Sequence, residues 1–284
     1  VYLILIILLN ILTEIYKRKN TTLNTLFLKK FNFMNKVSII TIAYKNFDEL
    51  VETLESIDSQ SNKPIESILI LSGFTDDEKS KLISNYSMSY RKFFWNIDDS
   101  LFNAMNKGIQ KSTKEFILFL NAGDILNSSE SLKIAESQID KGRCYSFKTL
   151  QVFEDISIIR ENRPKRGFFG LGKEKNLPPH QGFIAPNKKE LFFDESLKVS
   201  ADNDWMGRNM EKYGIFYSNE TIANFKLGGQ STYPTIYIIY IKLRYERFVR
   251  FVIECIKYTF SLFVSKRTYF ITMAKLRGYK INKR

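Results

Sequence analysis

The sequence predicts an α/β fold with a doubly wound, mostly parallel, Rossmann-like sheet. Two observations predict it. Short apolar runs that read as strands alternate with helical patterns from Val37 onward, and an acidic residue, Asp124, closes one of the apolar runs. Such alternation is typical of βαβ units, whose parallel strands are covered by helices. In these folds the ligand site lies along the carboxyl edge of the sheet.

The first strand and helix are predicted from side-chain periodicity. Residues Val37 to Ile42 alternate in polarity and are rich in β-branched side chains, which indicates a strand. Asn46 is in a position to cap the next helix. That helix carries one apolar stripe at helical spacing, which would face the sheet. The stripe consists of Phe47, Leu50, Val51, Leu54 and Ile57.

The following elements repeat this alternation. After a break at Asn62–Pro64, a second strand is predicted over Ser67 to Leu71, and the loop Ser72–Asp77 follows at its C-terminal end. Farther along, a short polar helix is predicted from Ala104 to about Ser112. An apolar run, Phe116 to Leu120, then has the length of a buried strand.

The turn Asn121–Asp124 puts a carboxylate at the C-terminal edge of that last strand. Gly123 beside it allows other groups to approach closely, and an Asp in this place suits a divalent cation that bridges a diphosphate. An ordinary turn after a buried strand has the same pattern. The residues alone therefore leave both interpretations open.

Composition limits the chemistry. The chain has 284 residues and is 44% hydrophobic, enough for one good-sized core or for a domain with an appendage. Its two cysteines, Cys144 and Cys255, have no metal-type spacing, so a reducing compartment is expected. The single histidine, His180, excludes a multi-histidine zinc site and also a Ser-His-Asp triad unless His180 itself serves. Carboxylates or a metal must then carry any acid–base chemistry.

The positive charge is concentrated at the C-terminal end. From Tyr240 onward there are twelve basic and two acidic residues, so this tail carries +10 of the net charge of +13. The distribution argues against nucleic acid as a partner of the body and favours an anionic membrane surface for the tail.

The tail has the pattern of an interfacial amphipathic helix. Its charged side consists of Arg247, Arg250, Glu254 and Lys257, and its apolar side of Phe248, Phe251, Val252, Cys255 and Phe263. A helix packed on the main domain with a solvated charged face would give the same pattern, and both interpretations stay open.

We therefore expect three regions. Residues 1–33 include the apolar run Val1 to Leu12, which is too short to span a bilayer. They are either an over-extended start before Met34 or a membrane-associating arm. Residues 34–233 would form the main domain, with a mobile loop over Lys165 to Pro179, and residues 234–284 the basic helical tail.

Two motifs point to a known family. The helix segment Ala104–Ile109 reads AMNKGI, and the strand end Phe119–Asp124 reads FLNAGD. Both, at this spacing, resemble the inverting, family-two glycosyltransferases of the GT-A fold. The likeness is greatest to the branch that builds bacterial exopolysaccharide, capsule and O-antigen, and it extends over about Val37 to Thr232.

The resemblance implies a metal ligand and a base. Asp124 matches the family's metal position, which suggests Mn²⁺ or Mg²⁺ as cofactor. Similar enzymes often have a second acid there, where this chain has Asn121 and Gly123. The stretch from Phe193 to Trp205 is similar to the family's base-bearing segment and places Asp202 at the base, with Asp204 two positions on. An acidic cluster capping a helix near Asp204 is the structural alternative.

The resemblance also implies a nucleotide-sugar pocket. Similar enzymes have an Asp where Ser72 stands, and another where Asn103 stands, while Asp98 matches a family Asp and is the better candidate for nucleotide contact. Further candidates lie on the helix predicted from Ala104, after the apolar run that ends at Leu120, and in a His-Gln-Gly element. They are Asn106, Lys107, Asn121 and His180. His180, in a His-Gln-Gly element similar to one in the family, would contact a sugar hydroxyl or take a place in the metal shell.

The function implied is metal-dependent, inverting transfer of a hexosyl or N-acetylhexosaminyl group. The donor would be a UDP- or GDP-sugar, and the acceptor would be a glycan attached to a lipid carrier. We expect the protein in the cytoplasm, peripheral on the inner face of the membrane. Two alternatives remain: a glycan-binding or scaffolding relative with weakened catalysis, suggested by Ser72 and Asn103, and a sugar nucleotidyltransferase. The latter normally needs a Gly-rich phosphate loop, which Thr41–Asn46 lacks.

Overall fold

The computed structural model describes residues 36–64, 66–95, 100–163, 177–197, 200–227 and 248–283. The strands are β1 (Val37–Tyr44), β2 (Ser67–Ser72), β3 (Arg91–Trp95), β4 (Phe116–Phe119), β5 (Ile125–Leu126), β6 (Cys144–Phe153), β7 (Ile156–Arg160), β8 (Phe183–Pro186), β9 (Ile215–Lys226) and β10 (Lys280–Lys283). The helices are α1 (Phe47–Asp58), α2 (Asp76–Tyr86), α3 (Leu101–Lys111), α4 (Ser131–Ser137), α5 (Ala201–Tyr213), α6 (Phe248–Phe263) and α7 (Lys266–Leu276). A 3-10 turn, His180–Gly182, precedes β8.

The strands form one mixed sheet in the order β10-β7-β6-β8-β4-β1-β2-β3, to which β9 and β5 are added. The four adjacent strands β3, β2, β1 and β4 are parallel, which confirms the predicted α/β class with a mostly parallel central sheet. Beyond β4 the strands β8, β6, β7 and β10 follow in antiparallel pairs. This antiparallel extension was not predicted.

The side chains on the two faces of the parallel strands belong to separate hydrophobic clusters. On β2, Ile68 and Ile70 pack toward α3 and α5, whereas Leu69 and Leu71 pack toward α1 and α2. Because alternate side chains of a strand point to opposite faces, a strand covered on both sides becomes an unbroken apolar run. Each such fully buried side chain contributes roughly 1.5–3 kcal/mol. The core is therefore built around β1, β2 and β4, whose carboxyl ends carry the site.

The helix starts differ in detail from the predictions. Asn46 precedes α1 but makes no capping hydrogen bond, because its Oδ1 accepts from the Tyr44 N–H (3.0 Å) and its Nδ2 donates to Glu49 (2.9 Å). The expectation that Asn46 caps the helix is thus wrong. Helix α3 starts at Leu101, before the predicted Ala104, since the Ser100 hydroxyl accepts from the Asn103 N–H (3.2 Å).

The C-terminal elements are joined to the main sheet. Strand β10 pairs antiparallel with β7, with Ile281 opposite Ile158. On α7, Tyr269 and Phe270 are buried against the apolar side chains of β7. No helix within the described ranges is both long and apolar enough to cross a membrane.

Helix α6 exposes an apolar side. Ile256, Leu262 and Phe263 are all exposed, the last of them by 80%. Two charged residues of this helix, Glu254 and Lys257, are instead half-buried and form an ion pair of 2.6 Å with each other. The predicted charged face extends to Arg247, which lies outside the described residues, as do residues 1–33 and most of the predicted mobile loop.

Candidate active site

The turn after β4 places Asp124 at the carboxyl edge of the parallel strands. Gly123 adopts φ +91°, a conformation that side-chain-bearing residues rarely take. Its N–H donates to the Glu49 carbonyl oxygen (3.1 Å) and to Thr53 Oγ1 (3.0 Å), and the Asp124 N–H closes the turn on the Asn121 carbonyl oxygen (2.9 Å). These bonds to α1 hold the turn in place and direct Asp124 into the interior, where it is only 5% exposed.

Burial dominates the electrostatics of Asp124. It raises the pKa of this carboxyl from 3.8 to about 8, and the nearby charge of Glu49 acts in the same direction. A hydrogen bond from Gln181 Nε2 to Oδ1 (3.3 Å) opposes the rise. Without a positive partner Asp124 therefore holds its proton at neutral pH, as expected for a carboxylate removed from water.

His180 lies beside Asp124 because β8 runs antiparallel to β4. The register pairs Leu118 with Ile184, so the 3-10 turn before β8 comes next to the turn after β4. His180 Nε2 is 3.9 Å from Asp124 Oδ2. Gly182 fixes the path of the turn, since a Cβ there would clash with the carbonyl oxygen of Phe147 on β6.

Asp202 lies within electrostatic reach of His180. It lies in the first turn of α5, whose preceding residue, Ser200, has a left-handed φ of 65° and makes no side-chain cap. Burial lowers the pKa of His180, the charge of Asp202 opposes this lowering, and Arg160 reinforces it. His180 is therefore close to Asp124 and within electrostatic reach of Asp202, two acidic residues that are far apart in the chain.

Asp204 is engaged elsewhere. Its Oδ2 accepts from Arg208 Nε (2.8 Å), and the same guanidinium donates to the Phe192 carbonyl oxygen (2.7 Å). The next residue, Trp205, is buried and stacks on Phe193 at 4.8 Å between ring centroids, as expected for a core side chain. Asp204 thus helps to hold α5 against the segment that precedes it.

The amides of Asn103 and Asn106 clamp the segment 193–195 onto α3. Asn106 accepts from the Phe193 N–H (2.7 Å) and donates to the Phe193 carbonyl oxygen (3.0 Å) and to Glu195 Oε1 (2.7 Å). Asn103 Nδ2 donates to Glu195 Oε2 (3.0 Å). Both were predicted to contact the nucleotide, and in the structure their amides position the segment leading to α5. Lys107 is half-buried on the same helix.

The predicted donor side lies at the ends of β1 and β2. Tyr44 and Ser72 are register partners there, and the Lys45 N–H donates to the Ser72 carbonyl oxygen (3.1 Å). Lys45 has a left-handed φ of 58°, and Tyr44 is 61% exposed. The exposed ring and the lysine beside it were not predicted as site residues. Asp98, the preferred nucleotide contact, lies outside the described residues.

Sequence reasoning also missed Arg160 and Gln181. Arg160 is the last residue of β7 and lies opposite Thr149 of β6. Thr149 in turn lies next to the His180–Gly182 turn, because its Cγ2 would be only 3.2 Å from a Cβ added at Gly182. Burial lowers the pKa of Arg160, and the charge of Asp202 opposes this. Nothing in the run Ile156–Arg160 distinguishes this arginine, because its neighbourhood depends on the antiparallel strand order.

The surroundings of Asp124 suit a cation in two respects. Asn121 Oδ1 and His180 Nε2 are buried atoms without a hydrogen-bond partner. Buried polar atoms are normally satisfied by protein, water or an ion, so these two atoms can take such a partner. No group of three acidic, histidine or cysteine side chains with metal-site geometry occurs in the described part of the chain. A cation held here would need ligands from a second molecule.

The fold and the site together define a protein of the GT-A class. Its sheet is mixed, and the candidate site lies at the carboxyl ends of the parallel strands. Residues 38–198, more than half of the chain, match the model of glycosyl transferase family 2. The chain therefore belongs to glycosyl transferase family 2.

Similar proteins include an uncharacterised glycosyltransferase of Methanocaldococcus jannaschii. It is 22% identical over 211 residues, which are 69% of this chain and 72% of the relative. The structure of S. aureus TarS 1-349 in complex with UDP is similar at TM-score 0.53 and 18% identity, covering 68% of this chain and 61% of that one. Its complex with UDP-GlcNAc gives TM-score 0.54 and 17% identity over 69% and 60%. This chain thus spans about three fifths of the TarS structures, which share its fold.

Proposed function

We propose that this protein transfers a sugar from a nucleotide-diphosphate donor to a glycan hydroxyl, with inversion at the anomeric carbon. The observation that supports this most is that His180 lies 3.9 Å from Asp124 and within electrostatic reach of Asp202, which two different elements carry. Membership of glycosyl transferase family 2 gives the class of reaction. The UDP and UDP-GlcNAc complexes of TarS support a nucleotide-sugar donor, here a UDP- or GDP-sugar.

The nucleoside would bind where β1 and β2 end. The exposed ring of Tyr44 offers a flat apolar surface on which a nucleobase can stack, a contact worth about 1–3 kcal/mol in nucleic-acid complexes. Ser72 beside it can donate or accept one hydrogen bond. We propose Asp98 as a further nucleotide contact.

The diphosphate would lie next to Asp124. The buried carboxylate and its unpaired neighbours fit a divalent cation, and a bound Mn²⁺ or Mg²⁺ would neutralise the charge of the departing diphosphate. A cation would also account for the burial of Asp124, because buried carboxylates are stable when they are paired or coordinate a metal. Asp124 is therefore the proposed metal ligand.

Asp202 is the proposed base. Its side chain is half-buried in the first turn of α5, and a carboxylate there can take the proton of an acceptor hydroxyl. The hydroxyl proton moves to Asp202 as the acceptor oxygen bonds to the anomeric carbon. The bond from that carbon to the diphosphate oxygen breaks, and its electron pair leaves with the diphosphate. Asp204, paired with Arg208, positions the helix that carries the base.

We further propose a lipid-linked acceptor in bacterial surface-polysaccharide synthesis, such as O-antigen, capsule or exopolysaccharide. The protein would work in the cytoplasm, on the inner face of the membrane. The basic tail and the exposed apolar side chains of α6 support this, because cationic and apolar groups together favour an anionic lipid surface.

The test uses Asp202→Asn with a panel of UDP- and GDP-sugars and Mn²⁺. Transfer and donor hydrolysis should be lost, because the amide takes up no proton, while donor binding measured by calorimetry is retained. Asp77→Asn is the matched control, since Asp77 also lies in the first turn of a helix. Normal turnover by Asp202→Asn would refute the base. A native chain that neither transfers nor hydrolyses any donor would instead favour the scaffolding alternative.

A further inference from the structure

Arg160 lies on the face of the sheet that carries the His180–Gly182 turn. It is the register partner of Thr149, and two residues directly opposite each other in an antiparallel pair project to the same face. On that face the Thr149 Cγ2 would be only 3.2 Å from a Cβ added at Gly182. Strand β7 therefore directs Arg160 toward the turn that holds His180. The transfer reaction proposed above gives this guanidinium no role.

The surroundings of Arg160 differ from those of a structural arginine in the same chain. Arg91 is buried and donates to both carboxylate oxygens of Asp58 (2.6 and 3.2 Å), so its charge is paired. The acidic side chain that acts on Arg160 is Asp202, and it acts through its charge without a hydrogen bond. Opposite Arg160, the buried Oγ1 of Thr149 has no hydrogen-bond partner. An oxyanion bound on this face would accept from both the guanidinium and the hydroxyl.

A second cation, Arg277, lies within electrostatic reach of Arg160. Strand β10 pairs with β7 so that Lys280 is opposite Ile159, which brings Tyr279 next to Arg160. Burial lowers the pKa of Arg160, Tyr279 opposes this lowering, and the charge of Arg277 reinforces it. A half-buried cation beside another cation is costly unless an anion joins it. The C-terminal elements thus make this place more favourable for a negatively charged ligand.

Electrostatic reach connects Arg160 with the proposed base rather than with the proposed metal ligand. The charges of Asp202 and Arg160 both act on His180, and that of Asp202 also acts on Arg160. The charge that acts on Asp124 is instead that of Glu49. An anion bound by Arg160 would therefore lie on the acceptor side, near the hydroxyl that Asp202 deprotonates, and not beside the departing diphosphate.

We propose that Arg160 binds an anionic group, phosphate or carboxylate, that the acceptor carries next to its reacting hydroxyl, and that the protein thereby selects acidic acceptors over neutral ones. The inference rests on the proposed function, since Asp202 marks the acceptor position only if it is the base. A guanidinium presents parallel N–H donors that match the oxygens of either group. The anion has two sources to distinguish, the diphosphate of a lipid carrier and an acidic sugar of the glycan.

The test measures binding of three soluble sugars to the full chain by saturation-transfer NMR. UDP and Mg²⁺ are present, so that the donor side is occupied. Glucose 1-phosphate represents a lipid-linked phosphate, methyl glucuronide represents an acidic sugar, and methyl glucoside is neutral. The native chain should bind one or both charged sugars about tenfold more tightly than the neutral one, and the preferred probe identifies the source of the anion. Equal binding of all three overturns this inference alone, whereas failure to bind UDP would contradict the proposed function.

Variants then assign the preference to Arg160. Arg160→Gln should weaken binding of the charged sugar about tenfold and leave methyl glucoside, UDP and the thermal unfolding midpoint unchanged. Arg160→Lys keeps the charge without the paired donors and should restore part of the affinity. Arg163→Gln, which alters an exposed arginine three positions on, is the matched control and should bind as the native chain does. Weaker UDP binding by Arg160→Gln would assign the guanidinium to the donor, and equal losses for all three sugars would indicate a structural role; either result overturns the proposal.

Discussion

Replacing Asp124 with asparagine is expected to stabilise the fold at neutral pH and to abolish the metal-dependent transfer proposed above. The native carboxyl is 5% exposed, and its pKa is raised from 3.8 to about 8. Between these two values the unfolded chain has released the proton and the folded chain still holds it. The native protein therefore loses stability as pH rises through this window, and the asparagine variant does not.

The magnitude follows from the size of the pKa shift. Each pH unit within the window costs the native chain about 1.4 kcal/mol relative to Asp124→Asn, which sums to about 4 kcal/mol at pH 7. Below about pH 4 both states carry the proton, and above about pH 8 neither does, so the difference between the proteins is constant in those ranges.

The assay is urea unfolding of both proteins at several pH values, without added metal. Asp140→Asn serves as a control of opposite sign. A hydrogen bond from Tyr145 lowers the pKa of Asp140, so its contribution to stability is present at neutral pH and is lost as pH falls. A stability difference for Asp124→Asn that does not widen between pH 4 and 8 would refute the reasoning, as would destabilisation at pH 7.

Three further predictions concern packing and the tail. Gly182→Ala should destabilise the protein by about 1–3 kcal/mol, because the added Cβ clashes with backbone. Gly207→Ala has open space for its Cβ and should stabilise α5 by about 0.5–1 kcal/mol. Thermal unfolding of both variants tests this difference. Asn106→Ala should cost about 1–3 kcal/mol in urea unfolding and lower turnover, because the clamp on residues 193–195 is lost; unchanged stability would contradict the clamp. Ile256→Ser should reduce sedimentation with anionic vesicles several-fold, unlike Ile83→Ser, which alters an exposed apolar residue on α2; equal effects would argue against lipid contact by α6.

The parallel half of the fold could be predicted because each of its strands and helices is indicated by a pattern within its own short segment of sequence. The alternating run from Val37 and the apolar stripe that includes Leu50 and Leu54 each determine an element without reference to the rest of the chain. The position of Asp124 follows in the same way, since the carboxyl end of a parallel strand is a ligand edge wherever it occurs. Periodicity together with family motifs was sufficient here.

The antiparallel half depends on contacts between distant segments and could not be predicted in this way. The proximity of His180 to Asp124 depends on the register of β4 with β8, and that of Arg160 on the pairing of β7 with β6. Asn106 shows that a motif can identify a residue without predicting what its side chain contacts. Its residue type matched a site motif, but its orientation toward Phe193 is set by a chain segment far away in sequence.

The pairing of β10 with β7 has a practical consequence for anyone who shortens the protein. Removing the basic tail, a natural step toward a more soluble sample, would also remove the outermost strand and uncover the N–H and C=O groups of β7 together with Ile156 and Ile158. An open, apolar strand edge of this kind invites pairing between molecules. A truncated protein would therefore be more prone to aggregate than the full chain, and charged substitutions on the exposed side of α6 offer a safer route to solubility.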